Sequence, residues 1–493
     1  MTPLTDGRAP ATRCDWVDQL RGWAILVMIE VHCTNVWLDL KLRPDWLNFL
    51  NGLVAPSFLT AAGFSLVVST FRKDGTLRPF WDSGRRYLFI LACAYALHAP
   101  GLSLADWTVL ATAQKWRELF KIDVLQCIVF SLLILQGLAR LIRRPRVFTL
   151  LALGLALYIP LISPFLWAHG IADGLWLPIR GLFNGNPDRG VQALFPLFPW
   201  LAFVAFGAFL GGGYRFTRQE EDGEGRARWT EPRFLGALAI LGLILWGAGH
   251  GTKEAFLWGG QWVQSRGVWM DQTRYGAFTW SELQALGNTT LPSVAERLGW
   301  ICLAGAAMGA VERVRPRWKG ENAFASASRE SLLIYMFHLN LIFGVLLSQP
   351  VLDLMGWQWN SQGWAFTLLM TAVVLGISLG FGLWWQSIRR DPARMRGLQR
   401  LGLSALAIWF LVGNWWTFRH YLRSPELARE PYVFLNAARE RKGLPPTPDG
   451  LTRDPDEFFA EAAARGLAFN DTAKAKIREQ ILARAAADPK PAR

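Results

Sequence analysis

Residues 20–35 read LRGWAILVMIEVHCTN, an apolar run long enough for several helical turns that nevertheless contains ionisable side chains. These side chains are Arg21, Glu30 and His32. An ionisable group inside a lipid bilayer is costly and usually faces the protein interior, where it tends to mark a functional site. The stretch therefore predicts a membrane helix that carries part of a site.

The composition indicates a polytopic membrane protein. Of the 493 residues, 52% are hydrophobic and 18% are charged. Apolar runs of about 20 residues recur, which is the length that crosses a bilayer. The net charge of +14 comes from basic residues in short loops between these runs. That placement is typical of the positive-inside bias, so no nucleic-acid partner is expected. The five cysteines lack paired spacing, and neither a disulfide framework nor a metal site is predicted.

The apolar runs predict an all-α fold with eleven transmembrane helices. The predicted spans are residues 17–38, 47–70, 85–102, 122–140, 147–167, 194–213, 234–250, 293–312, 330–349, 363–387 and 401–418. Every second loop is rich in Arg and Lys, namely 71–86, 140–146, 214–233, 313–329 and 388–400. The opposite loop 350–362 contains neither residue. This alternation predicts a cytoplasmic N-terminus and an outer C-terminus.

The same pattern predicts the domain organisation. The expected parts are a cytoplasmic N-terminal segment (1–16), a membrane domain (17–418) and a soluble extracytoplasmic helical tail (419–493). The first residues lack the apolar region and cleavage site of a signal peptide, so we expect the first span to be retained. In the tail, Asp454 followed by Pro455 is a typical helix start. The outer loop 251–292 contains FLWGGQWVQSRGVWM, which suits either sugar stacking or an interfacial aromatic belt.

The first span carries a polar stripe. At about 100° per residue, Arg21, His32 and Asn35 share a narrow face, and Asp18 lies at its edge. The rise from Arg21 to His32 is roughly 16 Å, which places Arg21 near the cytoplasmic mouth and His32 near the midplane. A membrane histidine is often a neutral side chain bonded to a neighbouring helix. The shared face and the proton-transfer capacity of histidine favour a catalytic role instead. Glu30 points to the opposite side and requires a donor from a neighbouring span.

A second polar stripe lies in the ninth span, SRESLLIYMFHLNLIFG (residues 328–344). Ser331, Tyr335 and His338 follow the i, i+4, i+7 spacing and share one face. Ordinary hydrogen bonding between helices would produce the same pattern. The charged pair Glu296 and Arg297, near the outer end of the eighth span, is interpreted as a local ion pair.

Four stretches carry a family resemblance. They are RCDWVDQLRGWAILVMIEVH (13–32), PSFLTAAGFSLVVS (56–69), FPLFPWLAFVAFGAFLG (195–211) and SRESLLIYMFHLNLIFG (328–344). The first two resemble the opening spans of integral-membrane acyltransferases related to the bacterial membrane O-acyltransferases. The third resembles the Pro-x-x-Pro-Trp span of the heparan-α-glucosaminide N-acetyltransferase-like branch, and the fourth resembles the late Ser…Tyr…His helix.

The resemblance implies acyl transfer across a membrane. The donor would be acetyl-coenzyme A or another acyl-coenzyme A at the cytoplasmic face, and the acceptor a hydroxyl or amine of an outer sugar or glycan. His32 matches the essential histidine of the bacterial O-acyltransferases, with His338 as a reserve catalytic candidate. The heparan-type enzymes place an Asn at the His32 position and their histidine further along. This chain has no histidine between Cys33 and Leu97. Direct attack with His32 as general base is therefore expected rather than an acyl-histidine. Basic positions that suit the donor phosphates are matched by Arg13, Arg21, Arg85 and Arg86. Topology signalling alone would also explain Arg85 and Arg86.

The competing interpretation is a polytopic transporter or flippase for a glycan or lipid-linked substrate. Transporters often show repeated halves and broken helices near the midplane, and this chain shows no convincing repeat. A non-catalytic scaffold is disfavoured by the buried charges. We expect a multi-pass protein of the bacterial inner membrane in contact with lipid, and the sequence leaves a homo-oligomer open.

Overall fold

The structure is a computed structural model that describes most of the membrane-domain residues. The described residues are 15–72, 74–101, 107, 113–169, 172, 174–184, 193–219, 231–265, 274–275, 278–279, 290–314, 327–356, 360–423, 454–464, 474–475, 477–479 and 481–482. Arg13, most of the N-terminal segment and most of the tail lie outside these ranges.

The described chain is helical apart from one short hairpin. The helices are α1 (Asp15–Trp37), α2 (Asp45–Asn51), α3 (Val54–Thr70), α4 (Trp81–Leu97), α5 (Ala113–Leu119), α6 (Val124–Ile142), α7 (Pro145–His169), α8 (Leu177–Phe183), α9 (Leu197–Gln219), α10 (Glu231–Ser265), α11 (Leu291–Val314), α12 (Ser331–Leu339), α13 (Gln349–Met355), α14 (Trp364–Arg389), α15 (Pro392–Arg423) and α16 (Pro455–Ala464). A 3₁₀ turn (Leu40–Leu42) follows α1, and a π-helix (Asn340–Leu346) continues α12 directly. The hairpin pairs β1 (Arg274–Tyr275) with β2 (Phe278–Thr279) in antiparallel register.

The predicted helical membrane fold is confirmed in its main character. Each of the eleven predicted apolar runs overlaps a helix. Within the described residues, seven helical segments are long and apolar enough to cross a membrane: Asp45–Thr70, Val124–Ile142, Pro145–Trp167, Leu197–Phe216, Pro232–Glu254, Leu291–Val311 and Trp364–Arg389. The chain is therefore a multi-pass membrane protein, while the full count of eleven and the orientation stay predictions.

One predicted boundary is wrong. The outer loop was expected to begin at residue 251, but α10 continues to Ser265, so the first ten of the fifteen residues in the Trp-rich stretch are helical. The residues after 250, Gly-Thr-Lys-Glu, interrupt the apolar run without ending the helix. Length and hydropathy mark where a helix leaves the apolar layer, and backbone hydrogen bonding decides where it ends.

Helix α1 is surrounded by other helices. It packs against α3, α11, α12 and α14. Ile25 and Ile29 on its inner faces are completely buried, and Trp16 packs edge-on against Phe64 of α3 with ring centroids 5.2 Å apart. A helix enclosed on most sides can carry ionisable side chains because its neighbours, and not lipid, surround them.

Helices α3 and α9 meet backbone to backbone. A Cβ atom at Gly63 would overlap the carbonyl of Val204, and one at Gly207 would overlap the carbonyl of Thr60. Small residues at such crossings let membrane helices approach closely and gain van der Waals contact. We refer to this contact as the glycine seam.

The chain divides into two compact units, and every site described below lies in the first. The first unit contains Met1–Leu97 and Phe120–Arg394, and the second contains His98–Leu119 and Met395–Arg493. In the second unit, α16 begins at Pro455 as predicted, and the Asp454 carboxylate accepts from the Asp456 amide at 2.9 Å. An ion pair joins Arg478 to Asp456 in the same unit. The predicted domain limits at 16 and 418 stay predictions.

Candidate active site

A cavity of about 280 Å³ lies between α1, α3, α4, α6 and α12. One end, here called the arginine end, is lined by Arg21 of α1 and by Asp82 and Arg86 of α4. The inner end is lined by Met28 of α1 and Tyr335 of α12. The cavity thus joins a charged mouth to an apolar interior, a form that suits a ligand with an anionic head and a slender arm.

Two histidines lie just beyond the inner end of the cavity. The rings of His32 and His338 are 5.3 Å apart between centroids. His32 follows Met28 by one helical turn, and His338 packs edge-on against Tyr335 with centroids 5.6 Å apart. These two side chains, called the histidine pair below, come from spans that are distant in sequence and meet only through packing of α12 on α1.

His338 is completely buried, and its hydrogen bond shows which ring nitrogen carries the hydrogen. Its Nδ1 lies 2.8 Å from the carbonyl oxygen of Ile334, so Nδ1 carries the hydrogen. In the neutral ring, Nε2 then carries a lone pair. Nε2 has no hydrogen-bond partner among the residues that the structure describes. This nitrogen can therefore accept a hydrogen bond or a proton.

Asp123 places a carboxylate near this pair. It caps the first turn of α6, accepting from the amide of Val124 at 2.7 Å, and Gln126 completes a capping box. Its charge is close enough to act on both His32 and Tyr335. A carboxylate in this position favours a transient positive charge on His32, which a general base must carry.

The predicted residues of the first span have different positions. Arg21 lines the cavity and forms an ion pair with Asp18 at 3.5 Å. Asn35 lies three residues beyond His32, slightly less than one turn, and is exposed. The expected stripe therefore runs along the cavity wall, past the histidine pair and out to the surface on the far side. The roles of these residues stay predictions.

The remaining predicted residues separate into those that reach the cavity and those that do not. Ser331 and Tyr335 both line it. The consecutive arginines of α4 are both exposed, but only Arg86 lines the cavity, and Arg85 is not part of the lining. Arg13 lies outside the described residues.

The polar face of α4 was predicted only in part, because Arg86 was a candidate from the sequence and its polar neighbours on this helix were not. Asp82, Ser83, Arg86 and Tyr87 all line the cavity. Ser83 accepts a hydrogen bond from the buried Gln136 amide at 2.8 Å, which fixes this face of α4 against α6. The signal was present, because these residues follow the i, i+4 spacing that identified the stripe in the first span.

The loop between α3 and α4 is held by arginines from other helices. Arg215 of α9 donates to the carbonyl of Arg72 at 2.5 Å, and Arg140 of α6 donates to the carbonyl of Arg78 at 3.2 Å. Within the loop, the hydroxyl of Thr76 donates to Asp74 at 2.7 Å, and this hydrogen bond lowers the pKa of the Asp74 carboxyl. Some of the basic residues at this end therefore stabilise the loop that starts α4.

Two glutamates, the half-buried Glu30 and the buried Glu296, are compensated by their surroundings. Thr34, Arg43 and Asn51 surround the carboxylate of Glu30. Asn51 lies in the predicted second span and is the neighbouring donor that the sequence required. Glu296 accepts from Lys253 at 2.6 Å and pairs with His250 Nδ1 at 3.1 Å. Both partners of Glu296 come from α10. The sequence predicted a local pair of Glu296 with Arg297, and Arg297 does act on Glu296 through its charge. In addition, Glu296 joins α11 to α10 through Lys253 and His250.

Comparison with known proteins gives one family match. Residues 13–246 match the family model described as heparan-alpha-glucosaminide N-acetyltransferase, catalytic. The match confirms the resemblance drawn from the motifs, and it includes Arg21, His32 and Arg86 while ending before His338. No curated protein and no solved structure matches the chain significantly.

Proposed function

We propose that the chain moves an acyl group from an acyl-coenzyme A to a sugar hydroxyl or amine. The proposal starts from the match of residues 13–246 to the heparan-alpha-glucosaminide N-acetyltransferase catalytic family. The family supports a membrane acyltransferase in general. Acetyl-coenzyme A is the proposed donor, and a sugar or glycan at the opposite face is the proposed acceptor. The family match does not favour the transporter interpretation.

The donor would occupy the cavity. Arg21 and Arg86 at the arginine end suit the phosphates of coenzyme A, because guanidinium groups form paired, charge-assisted hydrogen bonds with phosphate oxygens. The slender pantetheine arm would follow the apolar wall towards Met28 and Tyr335. This arrangement brings the thioester to the inner end, next to the histidine pair.

His32 would act as the general base. The acceptor oxygen or nitrogen attacks the thioester carbonyl and its proton passes to His32. The carbon–sulfur bond then breaks, and the coenzyme A thiolate leaves and is protonated. Asp123 would favour the imidazolium formed in this step. His338 would hold or relay the proton through Nε2, since its Nδ1 is committed to Ile334.

The proposed orientation puts the arginine end in the cytoplasm, where acyl-coenzyme A is made. The basic loops at this end motivate the assignment. Reporter fusions at residues 143 and 493 provide the test, with the first expected inside and the second outside. A cytoplasmic signal from residue 493 would contradict the eleven-span topology.

The observation that carries the proposal is the histidine pair just beyond the inner end of a cavity whose mouth carries arginines. The test uses purified protein in lipid nanodiscs, radiolabelled acetyl-coenzyme A and a panel of amino sugars and glycans. We expect acceptor-dependent release of free thiol together with labelled product.

A matched pair of variants links this activity to the cavity. Ala62 lines the cavity, whereas Ala92 is exposed on α4, so Ala62→Trp should block donor binding and Ala92→Trp should not. Transfer that survives Ala62→Trp unchanged would show that the donor binds elsewhere. Absence of thiol release with every donor and acceptor would contradict the proposed function.

A further inference from the structure

The π-helix after His338 sets the position of Phe343. Leu347 donates its amide to the carbonyl of Ile342 at 2.9 Å, an i to i−5 bond that widens this turn. At its start, the Asn340 side chain donates to the carbonyl of Met336 at 2.8 Å. In an α-helix, a residue five positions after His338 would lie about 140° around the axis. The π register instead brings Phe343 to the side of the helix that faces α1.

Phe343 packs edge-on against His32, with ring centroids 5.7 Å apart. Along the axis of α12 and its π extension, the cavity-lining Tyr335 is therefore followed by His338 and then by Phe343. Phe343 is also 44% exposed. Phe343 therefore covers His32 on the side opposite to the cavity and separates it there from the outside of the protein.

The exposed Asn35 lies on the same side of the pair. It follows His32 by three residues, less than one helical turn, on the stripe that began at Arg21. A ligand that approached His32 from the end opposite to the arginines would thus meet an amide from α1 and an aromatic ring from the π-helix. An amide for hydrogen bonding beside an aromatic ring is an arrangement that suits a sugar ring.

We propose that Phe343 is the acceptor-side wall of the site, where it positions a sugar-like acceptor on His32 and excludes water from the thioester. This inference rests on the proposed function and specifies the acceptor side of the same site. π-helical turns are rare and frequently accompany functional sites, and here the turn places a side chain that an α-helix would turn away.

The chemical consequence is selectivity between two nucleophiles. With the acceptor bound, its hydroxyl or amine attacks the thioester carbonyl, and the products are the acylated sugar and coenzyme A. If water takes that position, the products are the free carboxylic acid, coenzyme A and no acylated sugar. Closing a site against water suppresses this side reaction. Phe343 would therefore control the ratio of transfer to hydrolysis.

The first test measures both products in Phe343→Ala. We expect donor hydrolysis without acceptor to rise about tenfold and the acceptor KM to rise about tenfold, since water exclusion and acceptor contact are both lost. The donor KM should stay at the wild-type value. Phe343→Leu, which keeps an apolar side chain and removes the ring, should lie between wild type and Phe343→Ala.

The matched control is Phe337→Ala on the same helix. Phe337 stacks on Phe381 of α14 with centroids 4.1 Å apart and faces away from the pair. It loses the same number of atoms and reports any general loosening of the helix. Equal hydrolysis in Phe337→Ala and Phe343→Ala would overturn the proposal.

A second test does not require acyl transfer. Diethyl pyrocarbonate modifies neutral imidazole nitrogens, and peptide mass spectrometry measures the rate at His32 relative to His250, whose side chain is 47% exposed. Phe343→Ala should raise the relative rate at His32 roughly fivefold, since the covering ring is removed, and Phe337→Ala should not. An unchanged rate would overturn the proposal. A raised rate in a protein that transfers no acyl group to any acceptor would support the wall and contradict the proposed function.

Discussion

Glu296 and His338 are both buried polar side chains in membrane helices, yet their surroundings differ. Glu296 is 6% exposed, and its two oxygens contact Lys253 and His250 of the neighbouring helix. His338 is fully buried, with one nitrogen bonded to its own helix and the other unpaired among the described residues. The first group has all the partners that its charge requires, and the second keeps one bonding position open.

The difference distinguishes a polar side chain that stabilises the fold from one that is available for catalysis. A buried carboxylate that is fully paired joins two helices, and removing it should affect folding. A buried imidazole with an open nitrogen next to a second imidazole can accept a proton or a ligand atom, which fits a functional role. The presence of an ionisable residue in a membrane helix is therefore less informative than the number of partners it has.

The largest effect is expected from replacing His32. His32→Ala should lower the rate of acyl transfer by about 10²–10⁴-fold, the usual contribution of a general base, while donor binding is retained. His250→Ala removes a histidine from the Glu296 cluster and should leave the rate per folded molecule unchanged. Both are measured as labelled product formed by nanodisc-reconstituted protein.

His338→Ala, assayed beside them, distinguishes the two members of the pair. A near-normal rate in His32→Ala would remove His32 from the mechanism. A loss confined to His338→Ala would assign the role of base to His338.

The next effect concerns stability. Glu296→Gln keeps the shape of the side chain but leaves Lys253 without its charge partner. We expect a loss of about 3 kcal/mol in the free energy of unfolding, at the low end for a broken buried ion pair because Lys253 is partly exposed. The check is the thermal unfolding midpoint in detergent, together with transfer per folded molecule, which should not change.

Glu330→Gln is the control for this stability prediction. Glu330 pairs with the largely exposed Arg389 at 2.7 Å. Arg389 is 55% exposed while Glu330 is 12% exposed, so water screens this pair more than the Glu296 pair, and breaking it should cost only about 1 kcal/mol. Equal losses in the two variants would show that burial does not distinguish the two bridges.

A smaller effect is expected at the arginine end, where two consecutive residues allow a direct comparison. Arg86→Ala and Arg21→Ala should each raise the donor KM about tenfold, because each removes a charge-assisted bond to phosphate. Arg85→Ala should leave the KM unchanged, since Arg85 is exposed like Arg86 but is not part of the cavity lining. Equal KM values for the Arg85 and Arg86 variants would indicate a diffuse electrostatic effect in place of a built phosphate site. Titration of donor in the thiol-release assay gives the values.

The helical periodicity of single spans could be predicted from the sequence. The stripe that joins Arg21 to His32 does run along the cavity, and Ser331 and Tyr335 share the cavity-lining face of α12. Periodicity specifies which residues share a face and does not depend on the neighbours of that helix. The same reasoning applied to α4 would have added Asp82, which lies four residues before the predicted Arg86.

Contacts between spans could not be predicted in this way. The meeting of His32 with His338 depends on how α12 packs against α1, and the partners of Glu296 depend on how α10 packs against α11. The π-helix depends on a local change of hydrogen-bond register that composition does not reveal. Each of these features comes from tertiary packing, which a single sequence constrains weakly.

The glycine seam has a mechanical consequence for the cavity. Because the backbones of α3 and α9 touch at Gly63 and Gly207, α3 cannot retreat from the cavity without carrying α9 with it. Among the described residues, helix α4 makes no comparable backbone contact, although Gln136 bonds to its Ser83, and side chains along much of its length are exposed. The cavity thus has one stiff wall and one compliant wall, and any widening needed to admit a ligand is borne by α4.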